Sequence, residues 1–155
     1  MNGKLNSFSR HKFLQWACPN SRNIYKPNIR ILRYMQRIIL DTNILLQDKV
    51  DVLREIEKIC DFRYELFILE KTLEELENKK GSKFAFELVS RNSIKIIRTN
   101  KKISVDELLL EMAEKEKFIV ATQDKNLKQR LIKKGITIIT IRQKKYMIIV
   151  NKNVL

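Results

Sequence analysis

From Arg37 onward, short isoleucine-rich runs alternate with stretches whose apolar residues recur every three or four positions. This alternation leaves few architectures open. RIIL (37–40), YELFIL (64–69), SIKIIRT (93–99), FIVAT (118–122), TIITIR (137–142) and KYMIIV (145–150) read as strands, the last at an edge. DKVDVLREIEKIC (48–60) places Val52, Leu53, Ile56 and Ile59 at helical spacing. EKTLEELENKK (70–80) reads as a helix closed by Gly81, and SKFAFELVSRN as another. SVDELLLEMAEKEK (104–117) opens on Ser104 and Glu107, spaced as a capping box, and DKNLKQRLIKK (124–134) ends before Gly135. Isoleucine-rich strands interleaved with helices predict an α/β fold, with a central, mainly parallel sheet covered by helices on both faces.

The 155 residues suit one globular domain, and two segments differ in kind. Residues 1–35 show no clean periodicity and contain both prolines, Pro19 and Pro27; they are expected to form a basic, loosely structured extension. The domain proper is expected over 36–155, and Met35, directly before the first strand, is a candidate start. Charge follows the same division. Residues 1–36 carry seven Lys/Arg and 125–155 carry nine, both without any Asp or Glu, so all 18 acids lie between two basic flanks. With a net charge of +14, a polyanionic partner, most often nucleic acid, is favoured over a surface whose lysines merely keep the protein dispersed. No apolar run approaches the roughly 20 residues of a membrane span, and no signal-like h-region is present. Cys18 and Cys60 lack metal-ligand spacing and are expected to be small buried hydrophobes in a reducing cytoplasm.

In a parallel sheet, ligands bind beyond the carboxyl ends of the strands, near a switch in strand order. Asp41 follows the first strand, Asp124 follows FIVAT, Asp106 opens the helix after SIKIIRT, and Glu75 lies on the helix after YELFIL. Clustered carboxylates repel one another unless a cation lies between them. Hard oxygen donors suit Mg²⁺ or Mn²⁺, which can lower the pKa of a bound water and stabilise charge at phosphorus. Little else in the chain could catalyse. His11 is the only histidine, and glycines at 3, 81 and 135 cannot build a phosphate loop or a dinucleotide fingerprint. Each acid also has a structural explanation: Asp41 and Asp124 as helix caps, Asp106 as first-turn chemistry, Glu75 as part of a solvated EELE face.

Four segments in order carry a family resemblance: ILDTN, TLEELE, VDELLLEMA and IVATQDKNLKQRLIKKGITII. Together, over about residues 37–150, they resemble the PIN-domain ribonucleases, most closely the small-subunit rRNA-processing PIN nucleases and their archaeal relatives, and less the VapC toxin branch. The resemblance implies a three-layer α/β/α sandwich and a divalent-metal-dependent endoribonuclease, with Mg²⁺ or Mn²⁺ held by Asp41, Glu75, Asp106 and Asp124. Asn43 and Thr122 match the supporting polar positions. Two positions depart from the pattern. Val105 stands where many relatives have a first aspartate of a pair, with Glu107 a substitute nearby, and Asn126 stands where many have a further acid. Both remove negative charge from a second metal position.

The expected activity is hydrolysis of RNA phosphodiester bonds in rRNA processing or ribosome biogenesis, leaving a 5′ phosphate and a 3′ hydroxyl. Lys125, Lys128, Arg130, Lys133, Lys134, Arg142, Lys144 and Lys145 are the expected phosphate contacts. Precursor rRNA and ribosome assembly factors are the implied partners, and the resemblance implies a homodimer. Two alternatives stay open: a non-catalytic RNA-binding assembly factor, and a VapC-type toxin.

Overall fold

The computed structural model describes residues 35–150. The expected extension, with His11, Cys18, Pro19 and Pro27, lies outside the described residues apart from Met35, as do residues 151–155. In chain order the elements are β1 (Gln36–Leu40), α1 (Thr42–Leu45), α2 (Val52–Ile59), β2 (Tyr64–Leu69), α3 (Glu70–Glu77), α4 (Ser82–Arg91), β3 (Ile94–Ile97), α5 (Val105–Glu116), β4 (Ile119–Ala121), α6 (Lys125–Lys133), β5 (Ile138–Arg142) and β6 (Tyr146–Val150).

The strands form one sheet in the order β3-β2-β1-β4-β5-β6. Five run parallel, and β6 returns antiparallel beside β5 at the edge. Strand order reverses between β1 and β4, the place where a parallel sheet opens a crevice at its carboxyl end.

The isoleucine runs are buried on both faces because successive side chains point to opposite sides. Ile38 and Leu40 of β1, Ile119 and Ala121 of β4, and Ile139 and Ile141 of β5 enter one core with Ile44, Val52, Ile56, Leu76 and Ala85 from α1 to α4. Ile39, Val120 and Ile138 enter the other, against Val105, Leu108, Leu109, Leu127 and Leu131 of α5 and α6. The result is a three-layer α/β/α sandwich. No helix among the described residues is long and apolar enough to cross a membrane.

Several boundaries differ from the sequence expectation. The helix expected over 48–60 begins only at Val52, because Asp51 accepts the Arg54 amide and acts as its N-cap. The helix expected to run to Lys80 ends at Glu77, and Gly81 does not close it. Gly81 (φ 89°) instead occupies the left-handed position that turns the chain into α4. Ser104 does cap α5 by accepting the Glu107 amide, but the Glu107 carboxylate goes to Arg130, so only half of the capping box forms. Cys60 is half-buried beside the first core, and burial pushes its thiol up to about 11, consistent with a packing role.

Thr72 on α3 is fully buried, and its hydroxyl finds no hydrogen-bond partner among the described residues. An unsatisfied buried hydroxyl destabilises, whereas a methyl of the same shape does not. Thr72→Val is therefore expected to raise stability by about 1 kcal/mol, read from the urea midpoint. A lower midpoint would mean that the hydroxyl is satisfied in solution.

Candidate active site

β1 and β4 deliver two side chains to the switch point through their own ladder. The Asp41 amide continues the pairing by donating to the Ala121 carbonyl at 3.0 Å, and Thr122 follows directly on β4. Asp41 is only 3% exposed. Although it occupies the N-cap position of α1, its carboxylate caps nothing. Its Oδ2 accepts the Thr122 hydroxyl at 2.6 Å. The capping explanation therefore fails for Asp41. It holds for Asp124, whose Oδ1 accepts the Leu127 amide at 2.7 Å at the start of α6. Thr122 joins the two aspartates, because its oxygen also accepts the Asp124 amide at 3.1 Å.

Glu75 approaches from α3. Of the acids in EELE, it is the one that accepts the Thr42 hydroxyl, at 2.8 Å. Thr42 was not among the sequence candidates, although it stands directly beside Asp41 and is buried. Asp106, in the first turn of α5, completes the group. Desolvation by burial raises its pKa first; Asp124 and Glu75 raise it further, and the Arg130 guanidinium partly opposes them. Burial likewise raises the Asp41 pKa, against the lowering effect of its hydrogen bonds, with Asp106 and Glu75 adding repulsion. Asp41 and Asp106 thus each lie within reach of the charge of other acids in the set.

The supporting positions differ in placement. Thr122 is central, whereas Asn43 is exposed and only its carbonyl is engaged, by Gln47 at 3.1 Å. Glu107 pairs with Arg130 at 2.6 Å. Val105 is buried in the second core and Asn126 is exposed.

Among the described residues, no three His, Cys, Asp or Glu side chains close on a common metal-binding point. The donor chemistry nonetheless fits a hard divalent cation. It consists of carboxylates and threonine hydroxyls, and its most buried acid is held by a hydroxyl rather than a cation.

The eight basic residues expected at phosphates divide into two sets. Arg130 pairs with Glu107, and Lys134 with Glu114. Lys128 turns inward to the Thr140 hydroxyl at 3.2 Å, and burial lowers its pKa. Lys125, Lys133, Arg142, Lys144 and Lys145 are exposed and without ion pairs among the described residues. The last three surround the β5–β6 turn, where Gln143 (φ 52°) and Lys144 (φ 56°) are both left-handed. Asn-Gly is the usual occupant of such a turn, so this basic tip is held at some backbone strain. A groove of about 700 Å³, lined by Leu53, Tyr64, Phe84 and Leu88 among others, includes none of the four acids.

Because the folded-state pKa of Asp41 lies above its unfolded value, stability is lost as pH rises through the interval between them, and the loss persists above it. In chelator, Asp41→Asn is expected to melt above wild type at neutral pH. The two should converge as pH falls below the carboxylate range. A lower neutral-pH midpoint for the variant would show that the carboxylate is net stabilised where it sits.

The family model described as "PIN like domain" matches residues 38–144, which include all four acids. Ribonuclease VapC4 of Methanocaldococcus jannaschii is 34% identical over 124 residues, covering 72% of this chain and 95% of that protein. The solved structure of the PIN domain endonuclease Utp24 superposes with a TM-score of 0.64 at 25% identity, covering 74% of this chain and 91% of that one.

Proposed function

The chain belongs to the PIN-domain ribonuclease family, and on that premise we propose that it is a divalent-metal-dependent endoribonuclease acting on precursor rRNA in ribosome biogenesis. One observation carries the proposal: a buried carboxylate, Asp41, lies at the switch point of the sheet, held by Thr122 on one side and followed on the other by Thr42, whose hydroxyl binds Glu75. Asp41, Asp106 and Asp124 would hold Mg²⁺ or Mn²⁺, and Glu75, steadied by Thr42, would bind the ion or orient the attacking water. When bound, such an ion activates water and offsets charge developing at phosphorus. Water attack displaces the 3′ oxygen and leaves a 5′ phosphate and a 3′ hydroxyl. Thr122 keeps Asp41 in one rotamer and ties it to the start of α6.

The exposed cations Lys125, Lys133, Arg142, Lys144 and Lys145 supply sequence-independent phosphate contacts, a use suited to structured RNA. Arg130 and Lys134 contribute once RNA displaces their acidic partners. The likeness to VapC4 over almost its whole length favours a second reading, a VapC-type toxin ribonuclease that cuts other RNAs.

Cleavage of precursor rRNA and of unrelated RNAs, assayed with Mn²⁺ for wild type and Asp41→Asn, tests both readings. Wild type is expected to prefer the precursor, and the variant to lose about 100-fold or more in rate. Equal rates for the two proteins would remove the metal-site assignment. Efficient cutting of unrelated RNAs without preference for the precursor would favour the toxin reading. Separately, Lys144→Gln with Lys145→Gln should reduce the salt dependence of RNA affinity, by about one to two in the slope of log K against log salt. An unchanged slope would take the β5–β6 tip out of the RNA interface.

A further inference from the structure

The loop between β4 and α6 is three residues long and carries two of the groups just described, Thr122 and Asp124. Between them stands Gln123, a residue with no role in the site as described so far. β4 pairs with β5 in parallel register, Val120 with Ile138 and Ala121 with Ile139, and the Thr122 amide adds a bond to the Ile139 carbonyl at 3.0 Å. In a continuing parallel ladder, the Ile141 amide would donate to the Thr122 carbonyl. The amide of residue 124 would then donate to the Ile141 carbonyl.

Neither of these backbone pairings is used. The Ile141 amide donates to Gln123 Oε1 at 3.1 Å, and Gln123 Nε2 donates to the Ile141 carbonyl at 3.2 Å. The carboxamide therefore serves as an added peptide unit that completes the edge of β5. The Thr140 hydroxyl donates to the same Oε1 at 2.8 Å, and Lys128 Nζ backs that hydroxyl at 3.2 Å. Because Gln123 satisfies Ile141, the Asp124 amide is free to bond Thr122 Oγ1, the oxygen whose proton goes to Asp41.

We propose that Gln123 is a positioning residue, whose carboxamide takes the place of the β4 backbone on β5 and thereby sets Thr122 at the height needed to meet both Asp41 and the Asp124 amide. The proposal rests on the ribonuclease function proposed above for its kinetic consequence, but not for its structural one. Lys128 belongs to this network as a brace behind Thr140.

Gln123→Met keeps the length of the side chain and removes all three hydrogen bonds. Its kcat on RNA is expected to fall about tenfold or more with KM within twofold of wild type, since a misplaced constellation lowers turnover without weakening phosphate contacts. Amide hydrogen exchange, as protection relative to the intrinsic rate of each sequence, is expected to quicken at Ile141, the direct partner, and also at Asp124, whose amide bonds Thr122 Oγ1 and not the Gln123 carboxamide. Gln123→Glu retains both acceptor bonds but sets a carboxylate oxygen against the Ile141 carbonyl where the amide donated, so it should also turn over more slowly than wild type. Unchanged kcat, a change confined to KM, or Asp124 exchange as slow as in wild type would each overturn the proposal. A glutamate variant as fast as wild type would do so too, because the donor to the Ile141 carbonyl would then be dispensable. If wild type itself fails to cleave RNA, the ribonuclease function falls and the exchange at Asp124 alone decides: quickening upholds the positioning role, and no change ends it.

Discussion

The hydrogen bond from Thr122 to Asp41 joins the two strands between which the order of the sheet reverses, and the rest of the site is arranged around it. Burying a carboxylate costs several kcal/mol, whereas a hydrogen bond to a charged group contributes about 1.5–3 kcal/mol. The Thr122 hydroxyl and the Thr42 backbone together do not offset that cost, which is why desolvation dominates its raised pKa. The position is tolerated because β1 and β4 are fixed from both faces by apolar layers that have nothing to gain from moving. Core packing sustains an acid that local chemistry would reject, and Thr122 gives that acid a single direction.

The same bond explains which parts of the site could be read from the chain. Alternating isoleucine runs and helical periods identify the strands, the layers and the acids at strand ends, because these follow from burial alone. Thr42 and Gln123 follow from register instead. Thr42 matters because α1, a four-residue turn with too little periodicity to detect, aims its hydroxyl at Glu75 across 33 residues. Gln123 matters because β4 stops three residues short of α6 and leaves Ile141 to be satisfied. Gly81 was visible as a break, but which helix it served depended on how the chain turned between α3 and α4. The cation set was legible as composition and not as exposure. α5 carries Glu107 and Glu114 on the side facing α6, and these acids take up Arg130 and Lys134.

That pairing gives the charge distribution a structural meaning. A basic flank set against an acidic site would collapse onto it unless something kept the two apart. Glu107 and Glu114 hold Arg130 and Lys134 along the α5–α6 seam. Thr140 draws Lys128 into the loop scaffold, so that none of these three cations is left to pair with Asp41. Of the basic residues between 125 and 145, Lys125, Lys133 and the three at the β5–β6 tip keep their charge exposed. A polyanion drawn to those groups reaches a carboxylate cluster that its own phosphates would repel. A cation shared between phosphate and carboxylates would remove that repulsion, so under the proposed ribonuclease function metal and RNA are expected to bind together rather than independently.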